Sequence, residues 1–286
     1  MRVTNCYHIM TTERGTIMFE ELMHASFDGT LLRLRKDKVN DPKAVIVIAH
    51  GLCEHLNRYD YVTEQLNACG FSVYRYDQRG HGKSEGAKVF FSDFKEMAED
   101  CNGVFNVAAL ENPRSKIFVL GHSMGGETVS LFGTLFPKHA DGFILSGALT
   151  RYNNPLMGTD FPIPAPVDNY VDNALSDGVC SDPAVVEAYV QDPLVEKKIS
   201  IGLINEIYKA VQFLREHPQD FVDPVLILHG ANDGLVSYKD SLAFFDEIAS
   251  LDKGLQIYPK LYHEILNEPT KDEVIADIVL WLNKHL

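Results

Sequence analysis

No run of apolar residues in this 286-residue chain reaches the roughly 18–20 that a membrane-spanning helix needs, so an integral membrane segment is not expected. The opening stretch, MRVTNCYHIMTTERG, has an early Arg but no continuous apolar core behind it, and does not read as a secretory signal. Cysteine is sparse. Cys6, Cys53, Cys69, Cys101 and Cys180 are scattered, odd in number and without a C-x-x-C pair. Neither a disulfide framework nor a zinc site is implied, and a reducing, cytoplasmic setting is expected. Positive charge is in deficit: 26 Lys and Arg stand against 40 Asp and Glu, a formal net charge of −14. That balance argues against a nucleic-acid partner, which requires a basic footprint, and against tight adsorption to anionic lipid. Internal repeats and low-complexity tracts are missing too.

What is present is an ordinary globular composition, 45% hydrophobic and 23% charged. The length suits one α/β domain with an insertion. Residues 17–36 read as two strands around a turn at Asp28-Gly29. Strands are then expected at 44–49 (AVIVIA), 71–76 (FSVYRY), 116–120 (KIFVL), 142–146 (GFILS), 225–228 (VLIL) and 255–258. Short β-branched runs of this kind suit strands buried on both faces. Helices are expected at 56–69, 93–111, 124–136, 238–251 and 271–285. Strands alternating with helices imply a mostly parallel sheet covered on both sides. The alternation breaks from about 149 to 220, where prolines and short helical stretches accumulate. The expected organisation is a core of residues 1–148 and 221–286 with a cap inserted at 149–220.

Ligands of parallel sheets sit at the carboxyl ends of the strands, so the segments just after each strand carry most of the functional information. KIFVL is followed by Gly121-His122-Ser123-Met124-Gly125-Gly126 and a helix. G-x-S-x-G between a strand and a helix is the turn that lifts a nucleophilic Ser above a sheet. A hydroxyl needs a base, and the base needs an orienting acid. Asp233 lies just past VLIL and His263 just past the last strand, so Ser123, Asp233 and His263 occur in the order this architecture expects. His229, His285, Asp223 and Asp240 are the alternatives. Tetrahedral acyl intermediates also require N–H donors. Met124 follows the nucleophile, and Leu52 lies in the His50-Gly51-Leu52 loop after AVIVIA, so these two are the expected oxyanion pair.

Three strings, His50-Gly-Leu-Cys-Glu54-His55-Leu-Asn-Arg58-Tyr59, Asp77-Gln-Arg79-Gly80-His81-Gly82-Lys-Ser84 and Gly121-His-Ser123-Met-Gly-Gly126, resemble those of the monoacylglycerol lipase and lysophospholipase group of α/β-hydrolases. The closing Tyr262-His263-Glu264-Ile265-Leu266-Asn267-Glu268 is similar to the ending of bacterial lysophospholipase-like members. The resemblance implies the α/β-hydrolase fold and supports Ser123, Asp233 and His263 as triad. It assigns Glu54 and Arg58 to the polar end of the site, near the alcohol leaving group, with a loop-bracing ion pair as the alternative. It leaves Asp77, Arg79, His81 and Ser84 to brace the neighbouring loop. One departure stands out: animal monoacylglycerol lipases carry a second His three residues after the catalytic one, where this chain has Leu266.

The expected activity is therefore cleavage of a carboxylic ester in a monoacyl lipid by an acyl-enzyme route, with no metal and no cofactor. Apolar cap residues such as Leu156, Met157, Phe161, Ile163, Leu175, Val179, Val185, Val186, Ile201 and Ile204 are candidates for an acyl pocket, or simply for packing the cap down. The rivals are a thioesterase or a proline-type aminopeptidase on the same triad, and a non-catalytic binding protein. An aminopeptidase requires acids to hold the substrate amine, for which Asp160, Asp168, Asp172, Asp177 and Glu187 are available.

Overall fold

The computed structural model describes residues 6–12 and 15–286, and side chains from residue 18 onward. The start of the chain, weighed above as a leader, lies partly outside the described residues, as does the Cys6 side chain. The first three strands are β1 (Cys6–Thr12), β2 (Gly15–Ala25) and β3 (Leu31–Lys38), joined as an antiparallel meander. Then follow β4 (Ala44–Ala49), α1 (Asp60–Ala68), β5 (Phe71–Tyr76), α2 (Lys95–Glu111), β6 (Ile117–His122), α3 (Met124–Leu135) and β7 (Gly142–Ser146). The insertion carries β8 (Tyr170–Asp172), α4 (Pro183–Gln191), β9 (Lys198–Ser200) and α5 (Ile201–Glu216). The chain closes with β10 (Val225–Gly230), α6 (Tyr238–Glu247), β11 (Lys253–Tyr258) and α7 (Lys271–Lys284).

Among the described residues the main sheet has nine strands, in the order β1-β2-β3-β5-β4-β6-β7-β10-β11. From β5 to β11 every neighbouring pair is parallel. The central strands are buried along their whole length because both faces are covered. Alternation assigns their side chains to two cores. Val45 and Val47 pack with α2, α3 and α5, whereas Ile46 and Ile48 pack with α1 and α7. Each fully buried Val or Ile contributes about 1.5–3 kcal/mol, so this double burial holds the strand ends in fixed relation. No helix among the described residues is long and apolar enough to cross a membrane.

Several boundaries differ from the sequence expectation, among them the helix expected from 56, which starts at Asp60 after a 3₁₀ turn over Leu56–Tyr59. The helix expected at 238–251 ends at Glu247, because Ile248 turns extended (ψ 149°) while its N–H still closes the last turn on Phe244 O. The last strand starts at Lys253 rather than 255, since parallel pairing with β10 runs from Val225↔Lys253 to Gly230↔Tyr258. The insertion is also more regular than short helical stretches. Its α5 is 16 residues long and is preceded by Ser200, whose side chain accepts the Leu203 N–H as an N-cap. Leu203, Ile204, Ile207, Val211 and Leu214 of α5 merge with the core beside α3.

Candidate active site

Ser123 sits where β6 turns into α3, with φ 57° and ψ −121°. A non-glycine residue in this region is strained by about 1–3 kcal/mol, and the surroundings must hold it there. Two glycines make that possible. A Cβ on Gly121 would lie 2.1 Å from Gly125 O, and one on Gly125 would lie 2.2 Å from Ala49 O. Only bare glycine allows β4, β6 and the start of α3 to close this tightly. The turn leaves Ser123 half-exposed at the carboxyl edge of the sheet.

There it meets the other two residues. His263 Nε2 is 2.8 Å from Ser123 Oγ, and His263 Nδ1 is 2.7 Å from Asp233 Oδ2. The Asp233 carboxylate is buried and has further donors. Its Oδ1 accepts the Leu235 and Val236 N–H groups, both at 2.9 Å. Burial alone would raise its pKa, but the two imidazoles His263 and His229 outweigh burial and hold it well below the usual carboxylate range. Burial likewise works against a charged His263. The Asp233 charge and its hydrogen bond win, and the His263 pKa lies above 6.5. The neighbouring His122 ring, 4.6 Å away, is driven the other way, to about 3, by burial and by repulsion from His263. An imidazole whose pKa is raised therefore stands between a hydroxyl and a carboxylate whose pKa is lowered.

Leu52 and Met124 both line the cavity above Ser123. As the first residue of α3, Met124 has an N–H without an intrahelical acceptor. Glu54 lines the same cavity; its Oε2 accepts from Tyr59 Oη at 2.9 Å and from Gly51 N at 3.3 Å. Arg58 does not join it. Its Nη2 is bound to both Glu264 oxygens, at 2.6 and 2.5 Å, and its guanidinium lies 4.9 Å from the Tyr189 ring centre. So the structure gathers Ser123, His263, Leu52, Met124 and Glu54 around one space, with Asp233 buried against His263 Nδ1, while Arg58 is committed to an ion pair with Glu264. Nor does Arg58 pair with Glu54, the bracing alternative: its partner is Glu264.

The cavity comprises about 580 Å³ of free space, solvent at its mouth included. From the insertion it draws on Leu156, Met157, Leu175 and Val179, four of the apolar residues named from sequence, and on Tyr152, Tyr189 and Ile207, which were not. Phe161 stacks instead on Tyr208 at 4.0 Å over a separate cleft. The loop after β5 is braced. Asp77 accepts from the Leu56 and Lys83 N–H groups at 2.7 and 2.9 Å, and Arg79 grips Asp100 through two 2.7 Å bonds. Cys53 is buried beside Leu52, and burial pushes its thiol pKa up, away from the thiolate form.

Sequence reasoning missed the parts that lack a motif of their own. His229 was considered only as a rival base, yet its Nε2 is 3.0 Å from Asp233 Oδ2. Glu264 stood in the motif without a role. Its readable signal was adjacency to His263, but its partner Arg58 is 206 positions away.

Residues 40–270 match the Hydrolase_4 family, described as serine aminopeptidase, S33. A monoacylglycerol lipase of Mycolicibacterium smegmatis is 34% identical over 252 residues, covering 86% of this chain and 90% of that protein. The human monoglyceride lipase is 30% identical over 284 residues, covering 94% and 93%. Among solved structures, the Paleococcus ferrophilus monoacylglycerol lipase superimposes with a TM-score of 0.76 at 29% identity, covering 89% of this chain and 99% of its own.

Proposed function

We propose that this chain, which belongs to the Hydrolase_4 family of α/β-hydrolases and is a carboxylic ester hydrolase, cleaves monoacyl esters with Ser123, His263 and Asp233, beneath a cap formed by residues 149–220. The observation that carries the reading is the 2.8 Å contact between Ser123 Oγ and His263 Nε2 at the floor of an apolar cavity. Ser123 attacks the ester carbonyl as His263 takes its proton. Asp233 keeps the Nδ1–H tautomer and stabilises the imidazolium. The N–H groups of Leu52 and Met124 receive the oxyanion. His263 then protonates the departing alcohol, and water, activated by the same imidazole, releases the acid.

The acyl chain occupies the space lined by Met157, Leu175, Val179 and Ile207, where each buried methylene contributes about 0.8 kcal/mol. Glu54 is the polar group assigned to the leaving-group side. Arg58 serves that end through Glu264, which holds its guanidinium and follows His263 in the chain. Monoacylglycerol is the substrate that the named relatives suggest. A reducing, cytoplasmic setting belongs to this reading; Cys53, Cys69, Cys101 and Cys180 are free thiols. The aminopeptidase reading has less support. Asp160, Asp168, Asp172, Asp177 and Glu187 are all exposed, and none lines the cavity.

The test compares kcat/KM on monoacylglycerol, lysophosphatidylcholine, short nitrophenyl esters, an aminoacyl amide and emulsified triacylglycerol. Monoacyl esters are expected to lead, and Ser123→Ala to abolish both turnover and fluorophosphonate labelling. Efficient triacylglycerol or amide cleavage would overturn the substrate assignment, and a Ser123→Ala enzyme with full turnover would overturn the nucleophile.

A further inference from the structure

The Asp233 carboxylate serves two imidazoles. His263 donates Nδ1–H to Oδ2 at 2.7 Å, and His229 Nε2 lies 3.0 Å from the same oxygen. His229 Nε2 is also 3.0 Å from Val236 O. A carboxylate and a carbonyl oxygen only accept, so the proton of His229 sits on Nε2 and is directed at both. Its Nδ1 is 2.8 Å from Ser241 Oγ on α6, whose hydroxyl donates to the bare ring nitrogen and fixes that tautomer. The imidazole is wholly buried at the end of β10, four residues before Asp233, so it has no freedom to turn away.

We propose that His229 is a positioning residue: by sharing Asp233 Oδ2 with His263, it sets the orientation of the carboxylate and limits its hold on the base. The inference rests on the triad reading above. The physical argument is competition. An oxygen that accepts two hydrogen bonds spends part of its electron density on each, and stabilises the imidazolium of His263 less than it would alone. His229 and the two backbone donors to Oδ1 together fix the plane in which the His263 bond must lie. The other ionisable groups acting here are Glu264 and Glu54 on His263, His122 beside its ring, and Asp240 of α6 near His229. None of them bonds to Asp233.

The experiment uses the full chain with His229→Leu, His229→Gln and His229→Asn, and Asp233→Asn as reference. The amide nitrogen of Gln reaches close to the position of Nε2, whereas that of Asn falls short. In His229→Leu the expected result is a fall in kcat of roughly 10- to 100-fold, the scale of a small misplacement at a reacting group, with KM on a nitrophenyl ester little changed. The acidic limb of kcat/KM should move to higher pH, because Asp233 then holds the His263 proton unshared. His229→Gln should restore kcat and return the limb. If the Leu variant does not fold, the Gln and Asn pair carries the same comparison, with Gln near wild type and Asn impaired. Equal losses in all folded variants with an unmoved limb would overturn the proposal, because they indicate packing alone. So would wild-type kcat in His229→Leu. An active Asp233→Asn enzyme overturns the triad reading itself, whereas an inactive one beside a wild-type-like His229→Leu overturns only this inference.

Discussion

Asp233 and Asp240 are seven positions apart, both acidic and both largely buried, yet their neighbours give them different work. Asp233 accepts from His263, His229 and two backbone N–H groups. Asp240 accepts from the backbone and side-chain N–H of Asn153, at 3.1 and 2.8 Å, and burial raises its pKa. Asp233→Asn should therefore lower kcat by up to about 10⁴, as a wrong His tautomer does in a related triad. Asp240→Asn should leave kcat within a few-fold, because an amide oxygen still meets Asn153. Steady-state rates on a nitrophenyl ester decide between them. The pH response follows from the sign of the His263 shift. In the proposed mechanism His263 acts as a neutral base with a raised pKa, so kcat/KM should fall as pH drops through that raised value. In Asp233→Asn the largest charge opposing burial is gone and only Glu264 and Glu54 still counter it, so the limb of the residual activity should move to lower pH than in the wild type. Much of this was readable in sequence. Ser123, Asp233 and His263 each follow a strand, and strand ends in a parallel sheet converge. His229 and Glu264 were opaque because their roles depend on a bond angle and on a partner distant in the chain.

At the scale of elements, the loop bearing His263 is held from the insertion on both sides of the His263 ring. Glu264 N–H donates to Val179 O at 2.6 Å. Glu268 is fully buried, and its Oε1 accepts from Tyr262 N at 3.0 Å and from Ser181 N at 2.9 Å, while Oε2 meets the Ser181 hydroxyl. Val179, within this strap, also lines the cavity. Glu268→Ala would strand two backbone N–H groups, at about 1–3 kcal/mol each. It should lower the urea midpoint and cut kcat more than it raises KM, because His263 loses its anchorage rather than the pocket its lining. Denaturation curves and steady-state kinetics check this, and an unchanged kcat would remove the strap from the account. None of it was visible in the order of residues. The strands of the sheet were legible because AVIVIA, FSVYRY and GFILS can be buried on two faces. The strands of the insertion were not, since β8 and β9 are three residues each and register only through pairing such as Val171↔Ile199. The length of α5 was hidden too, although Ser200 followed by apolar positions at helical spacing carried the signal.

For the whole molecule the decisive quantity is net charge. The proposed substrate carries one acyl chain and partitions into lipid, so the enzyme must meet it at or near a surface. With 40 acidic against 26 basic residues, the chain carries −14. An anionic leaflet at about −30 mV repels each net negative charge near it by roughly 0.7 kcal/mol. Two such charges within a Debye length already amount to about 1.4 kcal/mol, a tenfold lower concentration at the surface. Screening shortens that reach from about 30 Å at 0.01 M salt to about 8 Å at 0.15 M. Hydrolysis of monoacylglycerol in vesicles rich in phosphatidylserine should therefore accelerate several-fold over that range of salt. In phosphatidylcholine vesicles the rate should stay nearly flat, since there is no surface field to screen. A soluble nitrophenyl ester, measured in parallel, separates this surface term from any effect of salt on chemistry. A rate on anionic vesicles that falls with salt would mean that a local basic patch, rather than net charge, governs the encounter.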